Sequence, residues 1–224
     1  MIILLTNDDG IHSKKLKYAR KVLEKFGKVY TVAPAEEQSA KSMSLSIGGF
    51  KVNEINEQEY SVEGTPVDCV NFALGGLNLR PDLVVSGIND GYNLGFDTRY
   101  SGTVGACLQA QYFGFNSIAF SSDRKGFAMV ELEFEKTLKY ILDNKLYSPK
   151  YTLNVNFPRE KFEESNGLLD DVKIFHHEYE YKPELIDGHY YPNRRIVVSG
   201  DLPKNTDAYG FHNGYTTISK ITIW

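Results

Sequence analysis

Hydrophobic and polar positions along the N-terminal part of the chain predict strands that alternate with helices. Residues 2–5 (IILL) form an uninterrupted apolar run that is typical of a buried strand. Apolar side chains then recur at helical spacing over residues 16–26, and Gly27 is placed to end that helix. Residues 28–33 (KVYTVA) are a second β-rich run, which Pro34 closes. A helix between two strands implies a right-handed crossover and a parallel sheet.

The same alternation continues downstream. Further strands are predicted at residues 82–86, 117–121 and 151–155, and further helices at about residues 103–113 and 129–142, with Leu132, Leu138 and Ile141 among the apolar positions of the latter. The first 155 or so residues are therefore expected to form a doubly wound α/β sheet.

Two shorter segments interrupt this pattern. Residues 43–62 mix alternating apolar positions with charges, which indicates a hairpin or a small antiparallel excursion near the sheet. Thr65-Pro66-Val67-Asp68 has a hydroxyl cap, a proline at the first helical position and an acid in the first turn, so a helix is expected from there to about Leu74.

The character of the sequence changes after Pro158. Residues 162–193 are rich in tyrosine, glutamate, histidine and glycine, and later regular runs occur only at 195–199 and 215–223. Hairpins are favoured over helices here, so we expect a catalytic core at 1–158 and a β-rich extension at 159–224. Because exposed aromatic ridges are costly in water, the extension is expected to pack on the core and on a partner subunit, giving at least a homodimer.

Composition and charge narrow the function classes. The chain has 224 residues, is 42% hydrophobic and carries a formal charge of −4, so it forms a packed core and has no bulk attraction to nucleic-acid polymers or anionic membranes. Its two cysteines, Cys69 and Cys107, lie in apolar helical segments and are interpreted as buried hydrophobes. The N-terminal apolar run is too short for a signal peptide or a membrane span, which makes a cytoplasmic location the default expectation.

The first candidate site follows the first strand, because ligands of open parallel sheets bind at the carboxyl ends of the strands. Asp8 and Asp9 are adjacent there, directly before Gly10. One interpretation is a turn in which an aspartate caps the following helix. A cap needs only one carboxylate, however, and two neighbouring carboxylates repel unless a cation compensates them, which suits Mg²⁺ or Mn²⁺.

A second loop follows the second strand at residues 34–42 (PAEEQSAKS). It places Ser39 near the first loop, where its hydroxyl is a candidate neutral ligand, although a solvated loop serine is the alternative interpretation. The acids Glu36 and Glu37 are expected to be solvated and are left out of the site.

The third loop, residues 86–95 continuing into 100–106, is dense in glycine and asparagine. Ser101, Gly102 and Thr103 fall at the start of the next helix, where free N–H groups and the helix dipole favour a phosphate. This predicts an anion site opposite the cation site, and the alternative is a long structural turn capped by Thr103.

Six motifs in order, TNDDG, APxxxQS, GTPVDCV, SGINxGxNxG, YSGTV and NSIAFS, resemble those of the SurE (survival protein E) family of 5′/3′-nucleotidases. They span roughly residues 1–125, with weaker echoes in LNVNFP and in Thr206-Asp207. The resemblance implies that one divalent ion per subunit, Mg²⁺ or Mn²⁺, is held by Asp8, Asp9, Ser39 and Asn89. It also implies a phosphate cradle that consists of Asn93, Ser101, Gly102 and Thr103, with Asp8, Asp9 and Asn93 as catalytic residues.

The same resemblance implies a Rossmann-like three-layer core with a parallel sheet, and a C-terminal hairpin-rich extension that builds homodimers or homotetramers. The implied reaction is hydrolysis of nucleoside 5′- and 3′-monophosphates, sometimes also of short polyphosphate. In places the sequence departs from the family pattern. Residues 40–43 (AKSM) replace a glycine-rich stretch, Ser46 stands where threonine is usual, and residues 218–222 (ISKIT) lack the proline that is expected after a Ser-x-Thr pattern.

The expected mechanism is in-line attack of a water on phosphorus, while the helix N-terminus and Asn93 stabilise the developing charge. Asp8 and Asp9 are both candidates for taking the proton from the water, and the histidines are interpreted as structural. Two competing functions remain: a phosphatase with an aspartyl-phosphate intermediate, whose acids are usually spaced DxD, and a nucleotide-binding sensor without turnover. Dinucleotide binding is disfavoured because DDG, and not GxGxxG, follows the first strand.

Overall fold

The computed structural model of the chain describes residues 1–124, 126–197 and 201–223. The strands are β1 (Ile2–Thr6), β2 (Lys28–Pro34), β3 (Val52–Asn56), β4 (Glu59–Val62), β5 (Leu83–Asp90), β6 (Ser117–Ser122), β7 (Thr152–Asn156), β8 (Leu168–Val172), β9 (Glu178–Tyr181), β10 (Glu184–Ile186), β11 (His189–Tyr191), β12 (Arg194–Val197) and β13 (Thr216–Ile221). The α-helices are α1 (Lys14–Leu23), α2 (Pro66–Asn71), α3 (Gly102–Tyr112), α4 (Ala128–Asp143) and α5 (Asp207–His212). A π-helical turn at Phe72–Gly76 continues α2, and a 3₁₀ turn at Gly95–Arg99 precedes α3.

Nine strands form one sheet in the order β3-β4-β2-β1-β5-β6-β7-β13-β8. Strands β4, β2, β1, β5, β6 and β7 run parallel, whereas β3 is antiparallel to β4 and β13 is antiparallel to β7. Strands β10 and β11, and strands β9 and β12, form two further small antiparallel sheets. The α/β class with a mostly parallel sheet is therefore confirmed.

Helices cover both faces of the sheet, and the alternation of side chains in β1 shows how. Ile3 and Leu5 belong to the hydrophobic cluster that α1 and α4 cover, which includes Leu16 and Phe134. Leu4 points to the opposite face and packs in the cluster built by α2 and α3. Successive side chains of a strand face opposite sides, so an all-apolar strand requires two covered faces, and the helices on both sides of the sheet provide them.

Strand β5 corrects one boundary of the sequence analysis. Residues 86–90 were expected in an irregular loop, but they are the second half of β5 and remain paired with β6 across an irregularity between Ser86 and Asn89. Gly87 makes this possible, because its φ is 124° and a Cβ there would lie 2.4 Å from the Phe120 carbonyl oxygen.

The segments around residues 43–76 mostly match expectation. Strands β3 and β4 form the predicted antiparallel hairpin, and β4 also joins the main sheet parallel to β2. Thr65 caps α2 as expected, in a capping box with Asp68. The α-helical part ends at Asn71 and not at Leu74, which lies in the π-helical turn. In α4, Leu132 was expected among the apolar positions that face the core but is 51% exposed.

The C-terminal region is partly integrated into the core. Strands β8 and β13 belong to the main sheet, so the sheet continues across residue 158, where the sequence suggested the end of the core. The hairpins expected here are present, but α5 was missed, because its short amphipathic pattern lies within an aromatic background. Of the strand expected at 195–199, residues 195–197 lie in β12 and residues 198–199 lie outside the described part. In the part of the chain that the structure describes, no helix has the length and apolar character needed to span a membrane.

Candidate active site

The carboxylate of Asp8 lies at the end of β1 against the start of α3. Asp8 is only 3% exposed, and its two carboxylate oxygens accept hydrogen bonds from the backbone N–H (3.2 Å) and the hydroxyl of Thr103. A Cβ added to Gly102 would lie 3.0 Å from the Asp8 Cβ, so the first turn of α3 packs directly on this aspartate. A helix N-terminus stabilises a negative charge at this position.

Asp9 lies beside Asp8 and accepts a hydrogen bond from the backbone N–H of Asp90 in β5 (3.1 Å). Burial, followed by the charge of Asp8, raises the pKa of Asp9 to about 7, and burial likewise raises the pKa of Asp8. The capping interpretation is wrong, because the N-cap of α1 is Ser13, whose hydroxyl accepts from the Leu16 N–H. Neither carboxylate is used to start the helix, which leaves both for a ligand.

The loop after β2 is fastened on both sides of Ser39. The N–H of Gln38 donates to the Asp8 carbonyl oxygen (2.7 Å), and the N–H of Ser42 donates to the Tyr100 carbonyl oxygen (2.9 Å). Ser39 itself is exposed, and its hydroxyl donates to the Glu37 carboxylate (2.7 Å). The loop that follows β2 therefore contacts Asp8 on one side and the turn before α3 on the other. Its position beside the loop after β1 agrees with the parallel order of the strands.

Asn89 and Asn93 are both nearly buried and lie near Ser121 of β6. Asn89 is paired in register with Ser121, and its side-chain N–H donates to the Gly91 carbonyl, which leaves the amide oxygen for a ligand. Asn93 donates from its side-chain amide to the Ser121 hydroxyl (2.8 Å), and its backbone N–H donates to the Asn156 side chain (2.9 Å). Ser121 thus lies between Asn89 and Asn93, two predicted site residues, and this arrangement was not apparent from the sequence.

Three polar residues of β6 and β7, missed in the sequence analysis, orient the glycine-rich segment. These are Ser121, Asn154 and Asn156, and both asparagines donate to the carbonyl oxygen of Asn93. The sequence LNVN at residues 153–156 could have indicated the two asparagines, because an asparagine side chain that is buried in a strand needs hydrogen-bond partners. Their hydrogen bonds fix the position of the segment that carries Asn93.

The start of α3 is capped by Ser101 and not by Thr103. The Ser101 hydroxyl accepts from the Val104 N–H (3.0 Å), whereas the Thr103 side chain and N–H are both directed to Asp8. The residues predicted to bind phosphate and the Asp8 carboxylate therefore lie at the same end of α3. The N–H of Thr103 donates to Asp8 and not to an external anion.

Lys15 is a buried cation that the sequence analysis did not single out. Its ammonium group forms an ion pair with Asp90 and donates to the Ser122 hydroxyl (2.8 Å) and the Asp123 carbonyl (2.7 Å). Lys15 and Asp90 line a cleft of about 770 Å³ together with Asp9, Ser13, Lys14, Glu37, Arg124, Gly126 and Phe127. Glu37, interpreted from the sequence as solvated, thus borders the site.

The donor set at this edge of the sheet fits a hard divalent cation. It offers two carboxylates, a serine hydroxyl and an amide oxygen, which are the oxygen ligands that Mg²⁺ and Mn²⁺ prefer. Among residues 1–124, 126–197 and 201–223, no group of three or more His, Cys, Asp or Glu side chains is placed to hold a metal. A softer, histidine- or thiolate-rich metal centre therefore has no support in that part of the chain.

Comparison with known proteins decides the family. The model of the family described as "Survival protein SurE" matches residues 3–178. The chain belongs to the SurE family. It is similar to the protein named 5′-nucleotidase SurE of Mannheimia succiniciproducens, with 35% identity over 100% of this chain and 93% of that protein. It is also similar to the 5′/3′-nucleotidase SurE of Wigglesworthia glossinidia brevipalpis, with 43% identity over 70% of this chain and 64% of that protein.

The solved structures agree with this assignment. The crystal structure of the SurE protein from Aquifex aeolicus superposes with a TM-score of 0.82 and 32% identity, covering 99% of this chain and 93% of that chain. Membership of the SurE family, which the motifs predicted, is thus confirmed. The relative from Mannheimia succiniciproducens, which aligns with the whole of this chain, is named 5′-nucleotidase SurE, in agreement with the predicted activity class.

Proposed function

We propose that this SurE protein is a metal-dependent phosphomonoesterase that hydrolyses nucleoside 5′- and 3′-monophosphates to a nucleoside and inorganic phosphate, with short polyphosphate as a further substrate. The observation that carries the proposal is a pair of adjacent carboxylates: buried Asp8, packed against the N-terminus of α3, and half-buried Asp9, held by the backbone of β5. The names of the relatives, 5′-nucleotidase and 5′/3′-nucleotidase, supply the substrate class.

Asp8, Asp9, Ser39 and Asn89 would hold one Mg²⁺ or Mn²⁺. When bound, such an ion supplies Lewis acidity to a phosphoryl oxygen and to an attacking water. Thr103 holds the Asp8 carboxylate in place through two hydrogen bonds, and the Asp90 N–H holds that of Asp9. This fastening limits the reorganisation needed during the reaction.

The remaining roles fall to the glycine-rich segment and the helix start. Asn93, anchored by Ser121 and Asn156, and the start of α3 at Ser101 and Gly102 would face the phosphoryl group and stabilise the charge that develops on it. Thr103 would contribute to the same cradle by holding Asp8. One of the two aspartates would take a proton from the attacking water as the new P–O bond forms. The P–O bond to the ester oxygen breaks, and that oxygen takes up the same proton and leaves as the alcohol of the nucleoside.

We further propose a cytoplasmic homodimer or homotetramer. Support comes from the extension, where large hydrophobic side chains of the β9–β12 region are exposed, namely Tyr181, Leu185, Ile186, Tyr190, Tyr191 and Val197. Tyr190, for example, is 73% exposed, and a cluster of this kind favours burial against another subunit.

The test is release of inorganic phosphate from AMP, GMP and 3′-AMP with Mn²⁺, with Mg²⁺ and with EDTA. Release that requires the metal supports the proposal, whereas tight nucleotide binding without any release supports the competing sensor function. Trapping of a phosphorylated aspartate would instead support the aspartyl-phosphate mechanism.

The variant Asp8→Asn keeps the shape of the side chain but removes its charge. It is expected to lower metal-dependent turnover by about 10²–10³-fold. Asp143→Asn is the matched control, because its side chain is 58% exposed at the end of α4. Full metal-dependent turnover in Asp8→Asn would contradict the assignment of this carboxylate.

A further inference from the structure

The ion pair between Lys15 and Asp90 places an internal counter-charge at the edge of the candidate active site. The Lys15 side chain is only 6% exposed, and Asp90 is 42% exposed on the cleft side. The Lys15 ammonium reaches three acceptors at once: the Asp90 carboxylate, the Ser122 hydroxyl and the Asp123 carbonyl. Three acceptors match its three donors, so the ammonium is fixed in one position.

Asp90 is the point at which this pair meets the site. Its backbone N–H donates to the Asp9 carboxylate, and it directly follows Asn89 in β5. Asp9 and Asp90 also line the same cleft, so without compensation the Asp90 carboxylate would be a third negative charge there beside Asp8 and Asp9.

The other basic side chains of the cleft neutralise the negative charge of Asp90 less effectively than Lys15 does. Lys14 and Arg124 line the same cleft but are exposed, so water and salt screen their charges. Lys15 is buried, and a buried charge in contact with its partner is screened much less. The charge that the site presents to an anion thus depends most on Lys15.

We propose that Lys15 is a specificity-determining and positioning residue, which neutralises Asp90 so that the site admits a phosphate dianion. This inference rests on the proposed function, since it assigns Lys15 to that site. Lys15 also holds the ends of β5 and β6 together through Asp90 and Ser122, and thereby fixes the N–H that orients Asp9.

The proposal makes opposite predictions for anion and cation binding. Lys15→Met leaves Asp90 uncompensated, so binding of inorganic phosphate is expected to weaken by about tenfold while Mn²⁺ binding is not weakened. For AMP hydrolysis, KM is expected to rise more than kcat falls. Asp90→Asn removes the third carboxylate and is expected to weaken Mn²⁺ binding without weakening phosphate binding. Lys15→Arg keeps the charge and is expected to retain most of the phosphate affinity.

The experiment is calorimetric titration of the full-length protein with Mn²⁺, and then of the Mn²⁺-loaded protein with inorganic phosphate. The variants are Lys15→Met, Asp90→Asn and the double variant, with Lys17→Met as the control, because Lys17 is an exposed lysine of α1 outside the cleft lining. Binding is measured without turnover. A protein that binds both probes as expected but releases no phosphate from AMP would contradict the proposed function and leave this inference supported.

Recovery of phosphate affinity in the double variant to within about threefold of wild type supports the proposal, because the charge is then balanced again. Loss of both phosphate and Mn²⁺ binding in folded Lys15→Met, without recovery in the double variant, would show a purely structural role and overturn it. Unchanged phosphate affinity in Lys15→Met would also overturn it. If Lys15→Met does not fold, Asp90→Asn decides: weaker phosphate binding in that variant rejects the proposal.

Discussion

Arg194 of β12 donates two hydrogen bonds to the carboxylate of Asp97, at 2.5 and 2.7 Å, and so ties the C-terminal hairpin to the turn that precedes α3. The same guanidinium stacks on the Tyr179 ring, 4.2 Å from its centroid. A second connection comes from Asp207, which accepts from the N–H groups of Gly95 and Phe175. The extension thereby supports the segment that carries Asn93 and Ser101.

The first prediction concerns this bidentate pair. Arg194→Met should increase amide hydrogen exchange in residues 95–100 and destabilise the protein by about 1 kcal/mol, because a forked charge-assisted contact and a cation–π contact are both lost. Hydrogen exchange followed by mass spectrometry measures the local effect. Lys182→Met is the matched control, since Lys182 pairs with Glu180 within the same region and does not contact the turn. Equal exchange in both variants would argue against the connection.

The second prediction concerns pH and the metal-free protein. Burial and the neighbouring Asp8 raise the pKa of Asp9 to about 7, which is above its value of about 4 in an unfolded chain. A raised carboxyl pKa contributes stability at low pH that is lost as the pH rises through the folded-state value. In EDTA, the melting temperature is therefore expected to fall between about pH 4 and pH 7.

Asp9→Asn tests that assignment, because it removes the titrating group and should flatten this part of the pH profile. Thermal unfolding in EDTA at several pH values measures it, and added Mn²⁺ should stabilise the wild type most at the higher pH. A profile of the same slope in Asp9→Asn would assign the effect to another group.

The third prediction concerns the contact between Gly102 and Asp8. In Gly102→Ala, the new methyl group would lie 3.0 Å from the Asp8 Cβ and 3.2 Å from the Pro66 Cγ, so the carboxylate has to shift. Metal-dependent turnover is expected to fall by about tenfold, since small displacements of a catalytic group are costly. Gly75→Ala is the control, because no atom lies within 4 Å of its added Cβ. Steady-state kinetics that are unchanged by Gly102→Ala would contradict the close packing.

The fourth prediction concerns the assembly. Tyr190→Ser combined with Leu185→Ser should shift the proposed oligomer toward a monomer, because both side chains are exposed on the β10–β11 hairpin (73% and 58%). Light scattering after size-exclusion chromatography measures the mass. Tyr112→Ser is the control, since Tyr112 is also exposed but lies at the end of α3. A monomeric wild type would reject the expected homodimer or homotetramer.

Much of the candidate site could be proposed from the sequence because its signals are local. Two adjacent aspartates after an apolar strand, and a helix start at Ser101–Thr103, are recognisable from neighbouring residues alone. The parallel order of strands then brings their ends to one edge, where Thr103 meets Asp8. The strand β5 was misjudged at 86–90, because a glycine-rich stretch resembles a loop until the Phe120 carbonyl is known to require a glycine at 87.

The sequence by itself determined the α/β class, the family and the placement of the two aspartates, since these follow from hydrophobic periodicity and from short motifs. Only the tertiary structure decided that Lys15 pairs with Asp90, that Asn93 is held by Ser121, and that β8 and β13 complete the core sheet. These contacts join residues that lie far apart in the chain. Their formation depends on strand order and burial, and no local pattern encodes the partner of a buried charge.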